Sequence, residues 1–197
     1  VPVDSPAVAM PTDLPNRPPI LCPACPHRAT YYAVKMAVGR DAMVLSDIGC
    51  YTLGFMSPIE MGDYFICMGS SASSAGGFAA TMDKPVISFI GDSTFFHSGI
   101  TGLINSVHHR RDLTLVVLDN GTTGMTGHQP HPGARQPGAT QVDIEALARA
   151  AGVKHVATID PLNFKASVRA IEELQKQPGP KLLISRSPCP LFAKKTE

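Results

Sequence analysis

The chain has 197 residues, enough for one ordinary domain and marginal for two, and 44% of them are hydrophobic against 17% charged, so it can bury a good core. The formal net charge is +1 and the basic clusters are short, which argues against a nucleic-acid surface, and no apolar run approaches the roughly 20 residues that a membrane helix needs. The five cysteines, Cys22, Cys25, Cys50, Cys67 and Cys189, are an odd number with no recognisable secretory leader, so free thiols in a cytoplasmic setting are expected, some with a metal or cluster role. The chain opens Val1-Pro2-Val3 without methionine, which fits either a processed start or a piece of a longer polypeptide.

In chain order, residues 1–21 hold six prolines and little periodicity and read as an extended arm. Residues 22–197 read as one domain. A helix is predicted from about His27 to Val38, with Gly39 as its stop. A short buried strand follows from Ala42 to Ser46 and ends at Asp47. Residues 51–67 read as irregular. The small-residue run Gly69 to Met82 predicts a closely packed helix. Pro85 to Ile90 is a strand, Thr94 to His109 a helix and Leu113 to Asp119 a strand. Gly121 to Thr140, with Pro130, Pro132 and Pro137, is a long loop. Helix Ile144–Ala151, strand Val153–Ile159, helix Phe164–Gln177 and strand Lys181–Ser185 complete the series. Continuously apolar strands alternating with helices predict an α/β fold, a parallel sheet with helices on both faces. Ligands of such sheets bind beyond the carboxyl ends of the strands, where Asp47, Asp92 and Asn120 fall.

Asp92 and Asn120 follow consecutive apolar strands, so both should reach the same rim. A carboxylate and an amide oxygen are hard ligands suited to Mg²⁺, which draws further oxygens from water and phosphate. Gly91 allows a sharp turn, and the helix after Ser93 points free N–H groups at the rim. Thr122 can add a backbone carbonyl. Taken singly, Asp92 is a helix cap and Asn120 a turn residue; the pair, flanked by Gly91, Gly121, Gly124 and Gly127, is harder to reduce to that.

Gly91-Asp92-Ser93 followed by a helix, a strand and Asn120 resembles the thiamine diphosphate motif, with Ser93 where glycine is usual. Together with "CPACPHR", "SDIGCYTLG", "CMGSSAS", "GDSTFFHSGITGLINSV" and "DNGTTGMTGHQPHPG", the chain resembles the thiamine-diphosphate-binding (PP-type) domain of the indolepyruvate:ferredoxin oxidoreductase large subunit, from about Arg17 to Cys189. In that family serine at the position of Ser93 is ordinary. The resemblance implies that Asp92, Asn120 and the Thr122 carbonyl hold Mg²⁺ against the diphosphate. It implies that the backbone of Gly49, Cys50, Tyr51 and Thr52, of Gly69 and Ser70, and of Gly124, Met125 and Thr126 lines the cofactor, with Met68 or Cys67 against the thiazolium. It further implies oxidative decarboxylation of a 2-oxo acid, aryl-pyruvate by preference, with coenzyme A as a possible cosubstrate.

Cys22-x-x-Cys25 by itself fits a zinc half-site, a redox pair or a cluster half-site. The wider family of 2-oxoacid:ferredoxin oxidoreductases binds a [4Fe–4S] cluster through a Cys-x-x-Cys pair, a third cysteine after the first strand and a distant fourth. Cys22, Cys25, Cys50 and Cys189 resemble that set; zinc or unligated thiols is the alternative. Cys67 is left over as a buried or cofactor-facing thiol. His97, His128 and His131 are candidates for the substrate pocket, His97 and His128 as catalytic groups, against ordinary helix and loop packing. His108-His109-Arg110-Arg111 reads as a solvated helix end. His27 and Arg28 open a helix beside the cysteine pair, as cluster contacts or surface residues.

In this family a glutamate for the cofactor's aminopyrimidine comes from a separate pyrimidine-binding domain, and Glu60 is not expected to replace it. The resemblance therefore implies half an active site, completed by a pyrimidine-binding domain or subunit, with a gamma-type subunit and a ferredoxin or ferredoxin-like acceptor. A subunit of a non-oxidative thiamine-dependent decarboxylase, or a zinc-stabilised interaction module, are the alternatives.

Overall fold

A computed structural model describes residues 13–196, and its framework is five parallel strands. These are β1 (Met43–Leu45), β2 (Val86–Gly91), β3 (Thr114–Asp119), β4 (His155–Ile159) and β5 (Lys181–Arg186), ordered β1-β2-β3-β5-β4. The apolar runs dictate this arrangement. Every residue of β2 is buried, so both faces need cover, and helical crossovers supply it. Alternate residues point to opposite faces. Ile87, Phe89, Val116 and Leu118 join one core, with Tyr31, Ala33 and Val34 of α1 (Pro26–Val38) and Ile171 and Leu174 of α6 (Phe164–Gln175). Val86, Ile90, Leu115 and Val117 join the other, with α2 (Ser70–Thr81), α4 (Ile100–His108) and α5 (Ile144–Ala150).

Local chemistry sets the ends of these elements. Pro26 opens α1, where its missing N–H costs nothing. Gly39, at φ 79°, closes it and donates its N–H to the Lys35 carbonyl. The small residues of α2 let it lie against α4: a Cβ on Gly102 would sit 2.7 Å from the Ser73 nitrogen.

Several boundaries differ from those predicted. The helix after β2 begins at Asp92 itself, as α3 (Asp92–Thr94), passes through a π-helical turn (Phe95–Gly99) and continues as α4. The π turn accompanies two successive aromatics with different partners: Phe95 lies in the core and Phe96 stacks on His131. Strand β4 starts at His155 rather than Val153, because the Val153 N–H is taken by the Ala148 carbonyl in closing α5. The irregular stretch contains a 3₁₀ turn, Cys50–Phe55. A further helix, α7 (Pro190–Thr196), follows Cys189 and was not anticipated. Of the predicted arm, residues 1–12 lie outside the described residues, residues 13–20 are exposed without helix or strand, and Leu21 is buried. Among the described residues no helix is long and apolar enough to cross a membrane.

Candidate functional site

Because the strands are all parallel, the ends of β1, β2, β3 and β5 share one edge of the sheet. Asp92 sits there, buried. Its Oδ1 accepts the Ser93 N–H at 2.8 Å, and its Oδ2 accepts those of Asn120 at 3.1 Å and Gly121 at 2.8 Å. The Asn120 amide is held at both ends: Oδ1 accepts the Thr122 N–H at 3.1 Å, and Nδ2 lies 3.3 Å from His27 Nε2. Gly121 turns the chain at φ 75°. No hydrogen bond to the Thr122 carbonyl is made among the described residues. Carboxylate, amide oxygen and an unclaimed carbonyl together are an all-oxygen donor set, which fits a hard divalent cation.

These groups open onto a cavity with about 540 Å³ of empty space. Of the predicted residues, Gly49, Cys50, Tyr51, Met68, Gly91, Asp92, Ser93, Asn120, Thr122, Gly124, Met125 and Thr126 line it. So do residues the sequence reading did not assign to it, notably His27, Ile48, Thr94, Leu118 and Thr123. Polar rim, exposed backbone of the Thr122–Thr126 loop and apolar Ile48, Met68, Leu118 and Met125 suit a ligand with an anionic end and a ring system. Thr52, Cys67, Gly69 and Ser70 do not line the cavity. Thr52 instead shapes the turn before it, donating to the Asp47 carbonyl and accepting the Gly49 N–H. Cys67 is exposed rather than buried, and Ser70 bonds back to its backbone.

Asp47 works from behind this wall. Fully buried, it accepts the Gly69 N–H on both oxygens, at 2.8 and 2.7 Å, the Ser71 hydroxyl at 2.9 Å and its neighbour Ile48 N–H at 2.7 Å. A carboxylate thus ties the end of β1 to the amino end of α2, where the helix favours negative charge, and sets Met68 at the cavity mouth.

A second cavity, of about 630 Å³ of empty space, lies beyond Cys50 and Asn120 and is lined by Cys22, Cys25, Cys50 and Cys189 together. Cys25 precedes α1, and its thiol is pushed up to about 11, first by burial, against the backbone N–H groups of His27 and Arg28, with Cys22 and Cys50 adding to the rise. Cys50 is raised by burial and then by Cys189 and Cys22. The Cys189 N–H donates to the Asn120 carbonyl at 3.2 Å, which fastens the end of β5 beside the rim. Among the described residues no three His, Cys, Asp or Glu side chains converge on a single-ion site.

The histidines distribute differently from expectation. His97 is exposed on the π turn and outside the cavity. His128 lines the cysteine cavity rather than the substrate side, with Nε2 3.8 Å from Cys189 Sγ and its ring stacked on Phe192. His131 is buried, with Nε2 3.1 Å from Asp92 Oδ2 and Nδ1 accepting the Gly133 N–H. His27, only 4% exposed, lines both cavities, and burial holds its pKa down at about 4, against a smaller rise from Asp92. Its contact with Asn120 joins residues 93 apart in sequence, so only its place just after the Cys22–Cys25 pair pointed toward it. Glu60 is exposed and outside the cavity.

Comparison with known proteins finds relatives in sequence and in fold. The chain is 48% identical over 189 residues to indolepyruvate oxidoreductase subunit IorA of Methanothermobacter marburgensis, covering 91% of this chain and 31% of that protein. The namesake subunit from Archaeoglobus fulgidus is 45% identical over 184 residues, covering 90% of this chain and 30% of that protein; the chain thus spans about a third of the length of these IorA relatives. Among solved structures, 2-oxoglutarate:ferredoxin oxidoreductase from Magnetococcus marinus, with 2-oxoglutarate, coenzyme A and succinyl-CoA bound, shares the fold with a TM-score of 0.73 at 21% identity, over 91% of this chain and 66% of that one. Residues 47–185, which carry the rim from Asp47 through Asp92 and Asn120 to the end of β5, match the family model of the thiamine pyrophosphate enzyme C-terminal TPP-binding domain, and the chain belongs to that family.

Proposed function

We propose that this thiamine-diphosphate-binding domain serves a 2-oxoacid:ferredoxin oxidoreductase of the indolepyruvate type, with a [4Fe–4S] cluster on Cys22, Cys25, Cys50 and Cys189. The observation that carries the reading is that two cavities share one wall: oxygen donors face one side, four thiols the other, and Cys50, His27, Asn120 and Gly124 border both. Magnesium would be held by Asp92, Asn120 and the Thr122 carbonyl, neutralising the diphosphate rather than acting on the substrate. When bound, thiamine diphosphate supplies the carbon nucleophile for the 2-oxo acid carbonyl and holds the electron pair left as carbon dioxide departs. The chain's residues set the stage for that chemistry. The Gly121–Thr126 loop presents backbone to the anionic end. Met68 and Met125 give the ring system apolar contact at the mouth. The shared wall keeps the thiols within one layer of side chains of the site.

Two electrons leave per turnover, one at a time, to a ferredoxin-like acceptor, and the acyl group passes to coenzyme A or water. The relatives named IorA support the aryl-pyruvate class, and the solved relative with coenzyme A bound supports the cosubstrate. A pyrimidine-binding domain or subunit supplying the glutamate, and a gamma-type subunit, would complete the enzyme. The non-oxidative reading has a specific relative in a sulfopyruvate decarboxylase at 28% identity over 123 residues, but it leaves the four-thiol cavity without a use.

Anaerobic purification with co-purifying partners tests the proposal. About four irons per chain, with absorbance near 400 nm, and bound thiamine diphosphate are expected. Thiamine without iron would leave the non-oxidative reading. Zinc without thiamine would overturn both.

A further inference from the structure

We infer that His27 is a positioning residue that fixes the side-chain amide of Asn120, so that the amide's oxygen and not its nitrogen faces the cation rim. The inference rests on the magnesium–diphosphate reading of that rim and adds a residue to it. A planar amide can present either atom after a half-turn, and a cation accepts only the oxygen. Two contacts decide between the orientations. The Thr122 N–H reaches Oδ1 at 3.1 Å, and His27 Nε2 meets Nδ2 at 3.3 Å. In the opposite orientation the amide N–H would face the Thr122 N–H, donor against donor. The Thr122 N–H on Oδ1 turns Nδ2 toward His27 Nε2, which makes that ring nitrogen the acceptor; with the amide reversed, the oxygen would face it and be repelled. An acceptor at His27 Nε2 therefore leaves one satisfied orientation, in which Oδ1 takes one hydrogen bond from Thr122 and keeps its other lone pair for a cation.

Both residues are buried in the wall between the two cavities. The ring is itself held: it lies edge-on to Tyr51, with centroids 6.3 Å apart at 78°, in the first turn of α1. Asn120 also contributes its backbone, accepting the Cys189 N–H at 3.2 Å and donating its own to Asp92 Oδ2 at 3.1 Å. Only its side-chain amide is free to turn, and His27 removes that freedom. Partners behind a metal's direct ligands orient them in this way, and their loss lowers metal affinity by about 10–100-fold.

The test uses the full protein with co-purifying partners, isolated anaerobically. Mn²⁺ is titrated in the presence of thiamine diphosphate, free Mn²⁺ is read by electron paramagnetic resonance, and iron is measured alongside. His27→Gln carries an oxygen the same number of bonds from Cα as Nε2 and is expected to bind Mn²⁺ close to wild type. His27→Leu lacks the acceptor and is expected to bind about 10–100-fold more weakly, with iron content unchanged in both. His27→Asn, smaller and polar, puts its oxygen at the Nδ1 position and is expected to be weak too, which keeps the test decisive if the leucine variant does not fold. Wild-type affinity in the leucine or asparagine variant overturns the inference. Equal weakening in His27→Gln also overturns it and makes the residue one of packing. Absence of thiamine-dependent Mn²⁺ binding in the wild-type protein would instead remove the reading of the rim itself.

Discussion

At Asp92, three backbone N–H groups hold the carboxylate in place before any cation arrives, so the site needs little rearrangement to bind one. Asp92→Asn replaces an oxygen by a donor facing those N–H groups, and thiamine-dependent Mn²⁺ affinity should fall by about 100-fold or more, beyond the loss typical of supporting partners. Titration with resonance detection measures it. Asp47 uses the same side chain as a brace. Asp47→Ala strands the buried Gly69 N–H and the Ser71 hydroxyl and is expected to cost about 3 kcal/mol in urea unfolding, with thiamine affinity reduced because Met68 loses its support. Asp92 and Asn120 were legible in the sequence, since each directly follows an apolar strand and only the strand ends meet at the rim. The partners of Asp47, and His27 beside Asn120, were not. Their hydrogen bonds join residues separated by 22 and 93 positions, and nothing local reports which distant backbone a buried group will meet.

The helices α2 and α4 meet through glycine and serine rather than through large apolar side chains. Gly102→Ala places a methyl 2.7 Å from the Ser73 nitrogen and 2.8 Å from the Ala72 carbonyl carbon. Both are backbone atoms that cannot yield, so the overpacking should cost roughly 1–3 kcal/mol despite alanine's better helix propensity. Gly77 on α2 is the control. A methyl there meets nothing within 4 Å, and Gly77→Ala should stabilise by about 0.5–1 kcal/mol. Thermal unfolding of the pair, read side by side, checks the opposed signs. The small-residue run made α2 legible as a closely packed helix, and the hydrophobic runs made all five strands legible. The π turn and α7 were not. A π turn changes no residue type, only the register between Phe95 and Phe96. The segment after Ser185 was given no element in the sequence reading, although Pro190 opens α7.

The molecule as a whole presents its binding edge to the outside. Met68 and Met125 are 46% and 51% exposed while also lining the first cavity, and Ile66 and Phe65, shortly before Met68 in the chain, are exposed apolar side chains as well. Large exposed apolar groups at a cavity mouth mark a contact surface, which agrees with the proposal that a pyrimidine-binding domain closes the site. Ile66→Glu is expected to leave the chain folded but to reduce co-purification of that partner and, with it, retention of thiamine diphosphate, as read by size exclusion and thiamine assay. On the other side of the wall, Cys189→Ser should lose iron while keeping thiamine-dependent Mn²⁺ binding, because the backbone bond from residue 189 to the Asn120 carbonyl does not require sulfur.

Strand β5 lies between β3 and β4, and Cys189 hangs from the Asn120 carbonyl directly after it. On the ribosome, therefore, the interior of the sheet stays open until nearly its last segment has been translated. Pairing across such long sequence separations is slow, and a nascent chain cannot complete the four-thiol cavity until residue 189 has emerged. On the proposed reading, a cluster on these four cysteines can be completed only after β5 has been made and has taken its place between β3 and β4.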